Sequence, residues 1–290
     1  MDHAPDDHYV TTADGTRLWC RVVGHGPPMV LCNGYVCTTQ YWPAFVREFA
    51  SDHTVVQWDY RSHGRSEVPR DRLTQNIPQY AADLGQVLDD LGIEQPVLVG
   101  HSMGVQVVLA FAGLWPERVR GLVALCGTYQ SPFAAWSEAP WLGRTLDALA
   151  RAALRTEPVF WPVLRRLLRT DLAISISYRM GANRKLCPRE YLDALFAHVT
   201  SMDGAAAIQA FRGLIEYSAA NVLGALRMPT LVIGGSADRT APPALSRAMH
   251  ARIPGSELEI FDECSHLAMI ERPAEVHARI RRFLREHQLT

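Results

Sequence analysis

The feature that most constrains this chain is a repeated alternation of short apolar runs, closed by glycine or polar turns, with stretches of helical periodicity. The runs lie at 18–23, 29–32, 54–58, 97–99, 121–126, 230–233 and 258–261. From Met29 onward they show little polar alternation, as strands do when both sheet faces are covered. Between them, residues 79–91, 104–114, 244–252 and 274–286 carry apolar side chains at helical spacing. Strand alternating with helix predicts an α/β fold with a mostly parallel central sheet flanked by helices. The 290 residues, 48% of them hydrophobic, are enough for one large core.

The strand rhythm stops at Tyr129 and resumes after Arg227. Helical patterns fill the gap at 142–154, 159–168, 189–198 and 204–215. A structureless connection of that length would be unusual, so the sequence predicts a core built from 1–128 and 228–290 with a helical cap inserted at 129–227.

Gly100-His101-Ser102-Met103-Gly104 stands where the run 97–99 meets the helical pattern 104–114. A serine at such a turn has a strained backbone, and small residues two positions away on each side let the chain pack through it. The hydroxyl is held clear of the sheet at a helix N-terminus, where backbone N–H groups meet negative charge. The plainer alternative is a glycine–serine turn with a serine N-cap.

Strand, turn and helix together resemble the α/β-hydrolase family, and the likeness covers most of the chain except the insertion. Asp59-Tyr60-Arg61-Ser62-His63-Gly64-Arg65-Ser66 is similar to the family's D-x-R-G-x-G-x-S turn, with Ser62 where glycine is usual. The resemblance implies Ser102 as nucleophile, followed in chain order by an acid and a histidine in late loops. Asp238, after the run 230–233, matches the acid, and His266, after 258–261, matches the histidine; Asp262 and Glu263 are runner-up acids. The imidazole would take the serine proton, and a buried carboxylate would fix its tautomer. Leu31-Cys32-Asn33-Gly34-Tyr35 resembles the family's H-G-x turn with Asn33 in place of histidine. By that likeness the backbone N–H groups of Tyr35 and Met103 form the oxyanion site. Asn33, Gly34, Tyr129, Trp136 and Trp161 are candidates to line the substrate pocket.

The activity so implied is hydrolysis of a carboxylic ester through an acyl-enzyme, with a small-molecule ester or related acyl compound as substrate. Lactone opening, C–C bond hydrolysis and haloperoxidase-like perhydrolysis are alternatives on the same fold, the C–C reading weakened by His101 where such members commonly carry asparagine. A hydrolase-like ligand receptor is the non-catalytic alternative. No His/Asp/Cys cluster has metal-ligand spacing, and no cofactor is implied.

Charge and cysteines bound the partners. The 29 basic and 30 acidic residues leave a formal net charge of −1, without the basic excess of a nucleic-acid binder. Between Arg144 and Arg189, however, ten basic residues face three acidic ones. Solvated helix faces explain such a bias, as would attraction to an acidic substrate, a carrier protein or an anionic membrane. The most apolar stretch, 104–115, is too short to span a bilayer, so no stable membrane insertion is expected. The first ten residues hold three aspartates and no apolar run, and the six scattered cysteines form no C-x-x-C pair. Reduced thiols in a cytoplasmic protein are the expectation.

Overall fold

The computed structural model describes residues 7–133 and 141–290. Eight strands form one sheet: β1 (Asp7–Thr11), β2 (Arg17–Val23), β3 (Pro28–Cys32), β4 (Thr54–Trp58), β5 (Val97–His101), β6 (Gly121–Leu125), β7 (Thr230–Gly235) and β8 (Glu257–Phe261). Their order is β1-β2-β4-β3-β5-β6-β7-β8. The pairs β1·β2 and β2·β4 are antiparallel and all others parallel.

Period-two alternation divides the sheet's side chains between two cores. Val30, Val56, Leu98, Leu122 and Val232 pack on one face, with the helices α2 (Ile77–Asp90) and α3 (Met103–Leu114). Met29, Val55, Val99, Val123 and Ile233 pack on the other, with α1 (Pro43–Phe49) and α11 (Pro273–Glu286). Helix α2 shows how the sequence dictates such packing. Asn76 caps it by accepting from the Gln79 N–H at 2.9 Å, and Tyr80, Ala81, Leu84, Val87 and Leu88 make one buried stripe. Helix α3 is buried over nearly its whole length, which is why its sequence is almost uniformly apolar.

Between β6 and β7 the chain forms α4 (Trp141–Arg155), α5 (Glu157–Leu168), α6 (Asp171–Met180), α7 (Arg189–Ser201) and α8 (Gly204–Glu216). Trp161, Val199, Met202, Ala207 and Ile208 give this insertion a small core of its own. Helices α9 (Pro243–His250) and α10 (Ala268–Glu271) complete the fold among the described residues. No helix there is long and apolar enough to cross a membrane.

Two register facts position the functional loops. β3 pairs with β5 so that Cys32 lies opposite Gly100, which brings the turn after β3 beside the turn after β5. β7 pairs with β8 so that Gly235 lies opposite Phe261, which starts the loops of Asp238 and His266 side by side. All four loops leave the carboxyl edge of the parallel strands, where ligands bind in open α/β sheets.

Candidate active site

Ser102 stands between β5 and α3 with φ 54° and ψ −117°, a left-handed conformation costly for any residue but glycine. The surrounding fold holds it there: its N–H donates to the Leu125 carbonyl at 3.0 Å. The flanking glycines are sterically required. A Cβ on Gly100 would stand 2.5 Å from the Gly104 carbonyl oxygen, and one on Gly104 would stand 2.2 Å from that of Cys32.

His266 lies between the other two residues. Its Nε2 is 2.9 Å from Ser102 Oγ and its Nδ1 is 2.9 Å from Asp238 Oδ2. The second Asp238 oxygen accepts the backbone N–H groups of Thr240 at 2.8 Å and Ala241 at 2.7 Å, and the carboxylate is wholly buried. Asp238 is therefore fixed before it meets the imidazole. Asp262 and Glu263, by contrast, are exposed at the start of the His266 loop, and Asp238 is the acid hydrogen-bonded to the ring.

His101 is a second histidine at this centre. Its ring stacks on Tyr41 at 3.9 Å between centroids and lies 5.0 Å from the His266 ring. Burial, with His266 nearby, holds its pKa well below the usual histidine range, so the ring is neutral. Its Nε2–H donates to the His266 backbone carbonyl at 3.0 Å, tying the two loops together. Glu271 secures the same loop: its carboxylate accepts from the Ser265 N–H at 2.7 Å and from the Asn183 N–H at 2.6 Å. Nothing in the sequence marked Glu271, because its partners come from a distant helix end and from a backbone group.

Gly34, two residues past β3, sits against the serine, where an added Cβ would be 3.2 Å from Ser102 Cβ. Met103 is the first residue of α3, with its N–H free of intrahelical pairing by helix geometry. The Tyr35 side chain runs away from the serine, donating its hydroxyl to the Ala207 carbonyl at 3.0 Å. It lines an apolar cavity of about 530 Å³ together with Leu146, Ala150, Phe160, Trp161 and Phe211.

The remaining pocket candidates divide. Trp161 lines that cavity, with its indole N–H on the Met202 carbonyl. Asn33 is a correction. Its Nδ2 donates to the Trp58 carbonyl at 2.8 Å and its Oδ1 accepts from Trp42 Nε1 at 2.7 Å, so both polar ends brace the turn from behind. Tyr129 is a correction of the same kind: it is buried in the core, and its hydroxyl accepts from Arg252 at 2.7 Å. Trp136 lies outside the described residues. In the Asp59 turn, Ser62 has φ 63°, the backbone shape that makes glycine usual there.

A family model for the alpha/beta hydrolase fold matches residues 27–273. The chain belongs to the α/β-hydrolase fold family. A curated relative, 2-hydroxymuconate semialdehyde hydrolase of Pseudomonas putida, is 29% identical over 286 residues, covering 94% of this chain and 92% of that protein. Among solved structures, this α/β-hydrolase-fold chain is similar to a thermophilic esterase from Thermogutta terrifontis (TM-score 0.76, 25% identity, 98% of this chain and 99% of that one). It is also similar to the enol-lactonase of Burkholderia xenovorans (TM-score 0.78, 22% identity, 96% and 100%). The latter likeness is one of fold.

Proposed function

We propose that this chain is a serine hydrolase that cleaves a carboxylic ester through an acyl-enzyme. The observation that carries the reading is the position of His266, within 2.9 Å of both Ser102 Oγ and Asp238 Oδ2. In this mechanism Nε2 takes the serine proton as Oγ attacks the acyl carbon. The proton then passes to the departing alkoxide, which leaves as the alcohol. Water, deprotonated by the same nitrogen, attacks the acyl-serine and releases the acid. Asp238 keeps the proton on Nδ1 and favours the imidazolium that forms.

The backbone N–H groups of Tyr35 and Met103 stabilise the developing oxyanion; losing one such donor costs about 2.7–4 kcal/mol in other acyl-transfer enzymes. In this reading the helices of the insertion serve as the cap over the site, within the 129–227 boundaries read from sequence. The apolar cavity beside Tyr35 favours a substrate with an apolar portion.

A lactone is the same acyl carbonyl closed into a ring, so its opening needs no change in this mechanism and is the second reading. Fluorophosphonate labelling followed by location of the modified residue tests the nucleophile. Modification at Ser102 that abolishes turnover supports the assignment; full labelling in Ser102→Ala removes it. Parallel turnover of aryl esters and lactones then separates the two substrate classes.

A further inference from the structure

We propose that the outward face of α5 and α6 is a peripheral docking surface for an anionic lipid bilayer. Val159, Val163 and Leu167 recur every four residues on α5, and Leu172, Ile176 and Met180 do the same on α6. These six side chains are between 45% and 72% exposed. The two helices pack on each other and are joined through Arg169 and Thr170. Their opposite faces are the ones turned inward: Trp161 and Ile174 are buried, and Leu164, Leu168 and Tyr178 are half-buried. An ordinary solvated helix carries charge on its outer face and apolar residues within. Here large apolar side chains face out in two consecutive stripes, the kind of exposed surface that marks an interaction site.

Charge identifies the occupant. Exposed Arg166 and Arg179 each lie within the stripe of their own helix, and exposed Arg169 sits in the link. Among the described residues none of the three guanidinium groups has an acidic partner. The aspartate of this stretch, Asp171, is engaged by Arg189 at 2.5 Å, and Glu157 at the start of α5 turns inward against Gly204. An apolar face edged by unpaired arginines fits an anionic headgroup layer, with the apolar side chains entering the acyl boundary and the arginine stems reaching back to the phosphates. A second copy of this chain fits poorly. A two-fold contact would set each arginine of this face toward the same set on its partner. With no membrane-crossing helix among the described residues, the association these helices offer is peripheral.

The test is co-sedimentation of the full chain with large vesicles, either of phosphatidylcholine alone or with one-third phosphatidylglycerol, alongside sedimentation equilibrium without lipid. The native chain is expected to bind the anionic vesicles at least about tenfold more tightly than the neutral ones, and to be released by molar salt. Val163→Asp combined with Ile176→Asp, and separately Arg166→Glu combined with Arg169→Glu, are expected to weaken that binding at least about tenfold. Both variants should keep the native melting curve and aryl-ester turnover, which excludes misfolding as the cause. Binding to neither vesicle, or equally to both, overturns the proposal. So does a native dimer that the Val163→Asp, Ile176→Asp pair converts to monomer, because the face would then be a self-interface.

Discussion

Replacing Asp238 by asparagine tests the chemistry of the site without removing any of its atoms' positions. The two carboxylate oxygens differ in their surroundings. One accepts two backbone N–H groups, at 2.8 and 2.7 Å, and the other faces His266 Nδ1 at 2.9 Å. An asparagine has one acceptor end and one donor end. The backbone donors fix the acceptor on their side, since the reversed amide would leave buried donors unmet at about 1–3 kcal/mol each. The amide N–H therefore points at Nδ1, which must give up its hydrogen. The imidazole proton moves to Nε2, the atom facing Ser102 Oγ, and the ring can no longer take the serine proton. The expected outcome is a fall of ~10⁴-fold in kcat, about 5–6 kcal/mol of barrier, with KM within a few-fold. Melting should stay close to native because each hydrogen-bond position remains filled. The assay is steady-state turnover of a short aryl ester at neutral pH. Activity within tenfold of the native chain would refute the argument that Asp238 sets the tautomer.

Three further outcomes follow from the same geometry. Ser102→Gly and Ser102→Ala should both be inactive, but glycine relieves the left-handed backbone and should be about 1 kcal/mol more stable than alanine; equal urea midpoints would count against stored strain at the turn. His101→Leu removes the donor to the His266 carbonyl and is expected to lower kcat by about tenfold to a hundredfold with KM nearly unchanged, whereas His101→Gln, which keeps an N–H there, recovers most of it; identical losses in the two variants would assign His101 to packing alone. Burial lowers the His63 pKa to about 4, so between pH 6.5 and 4 the unfolded chain binds a proton that the native chain refuses. His63 alone is expected to withdraw about 3 kcal/mol of stability as the pH drops from 6.5 to 4, read by denaturant unfolding as the difference in pH dependence between the native chain and His63→Gln; the same dependence in both would exclude it as a source.

What was legible in the sequence was whatever is buried on both sides or repeats with a fixed period. β5, β6 and β7 are continuous apolar runs because helices cover both faces. β1 escaped notice because it is an edge strand in which only Val10 is buried, so its side chains carry no pattern. Helix α6 was hidden by Ala-Ile-Ser-Ile-Ser, whose two-residue alternation is not a helical signal, although Ile174 alone reaches the interior. The short α1 and α10 offer too few turns to show a period. At the site, the meeting of Ser102, Asp238 and His266 was readable because each follows a strand at the same sheet edge. Asn33 and Tyr129 were not, since a polar side chain beside a reactive turn looks the same in sequence whether it points at a ligand or into the scaffold. Only the partners Trp42, Trp58 and Arg252 reveal the direction.

The carboxylate of Glu271 joins the residue next to His266 to Asn183, just beyond the end of α6. The stretch between β6 and β7 is thus wired to the loop that carries His266 and is not an interchangeable module. A chimera that takes this stretch from another member of the fold must bring an N–H to that carboxylate, or its loss will register one peptide bond from the imidazole.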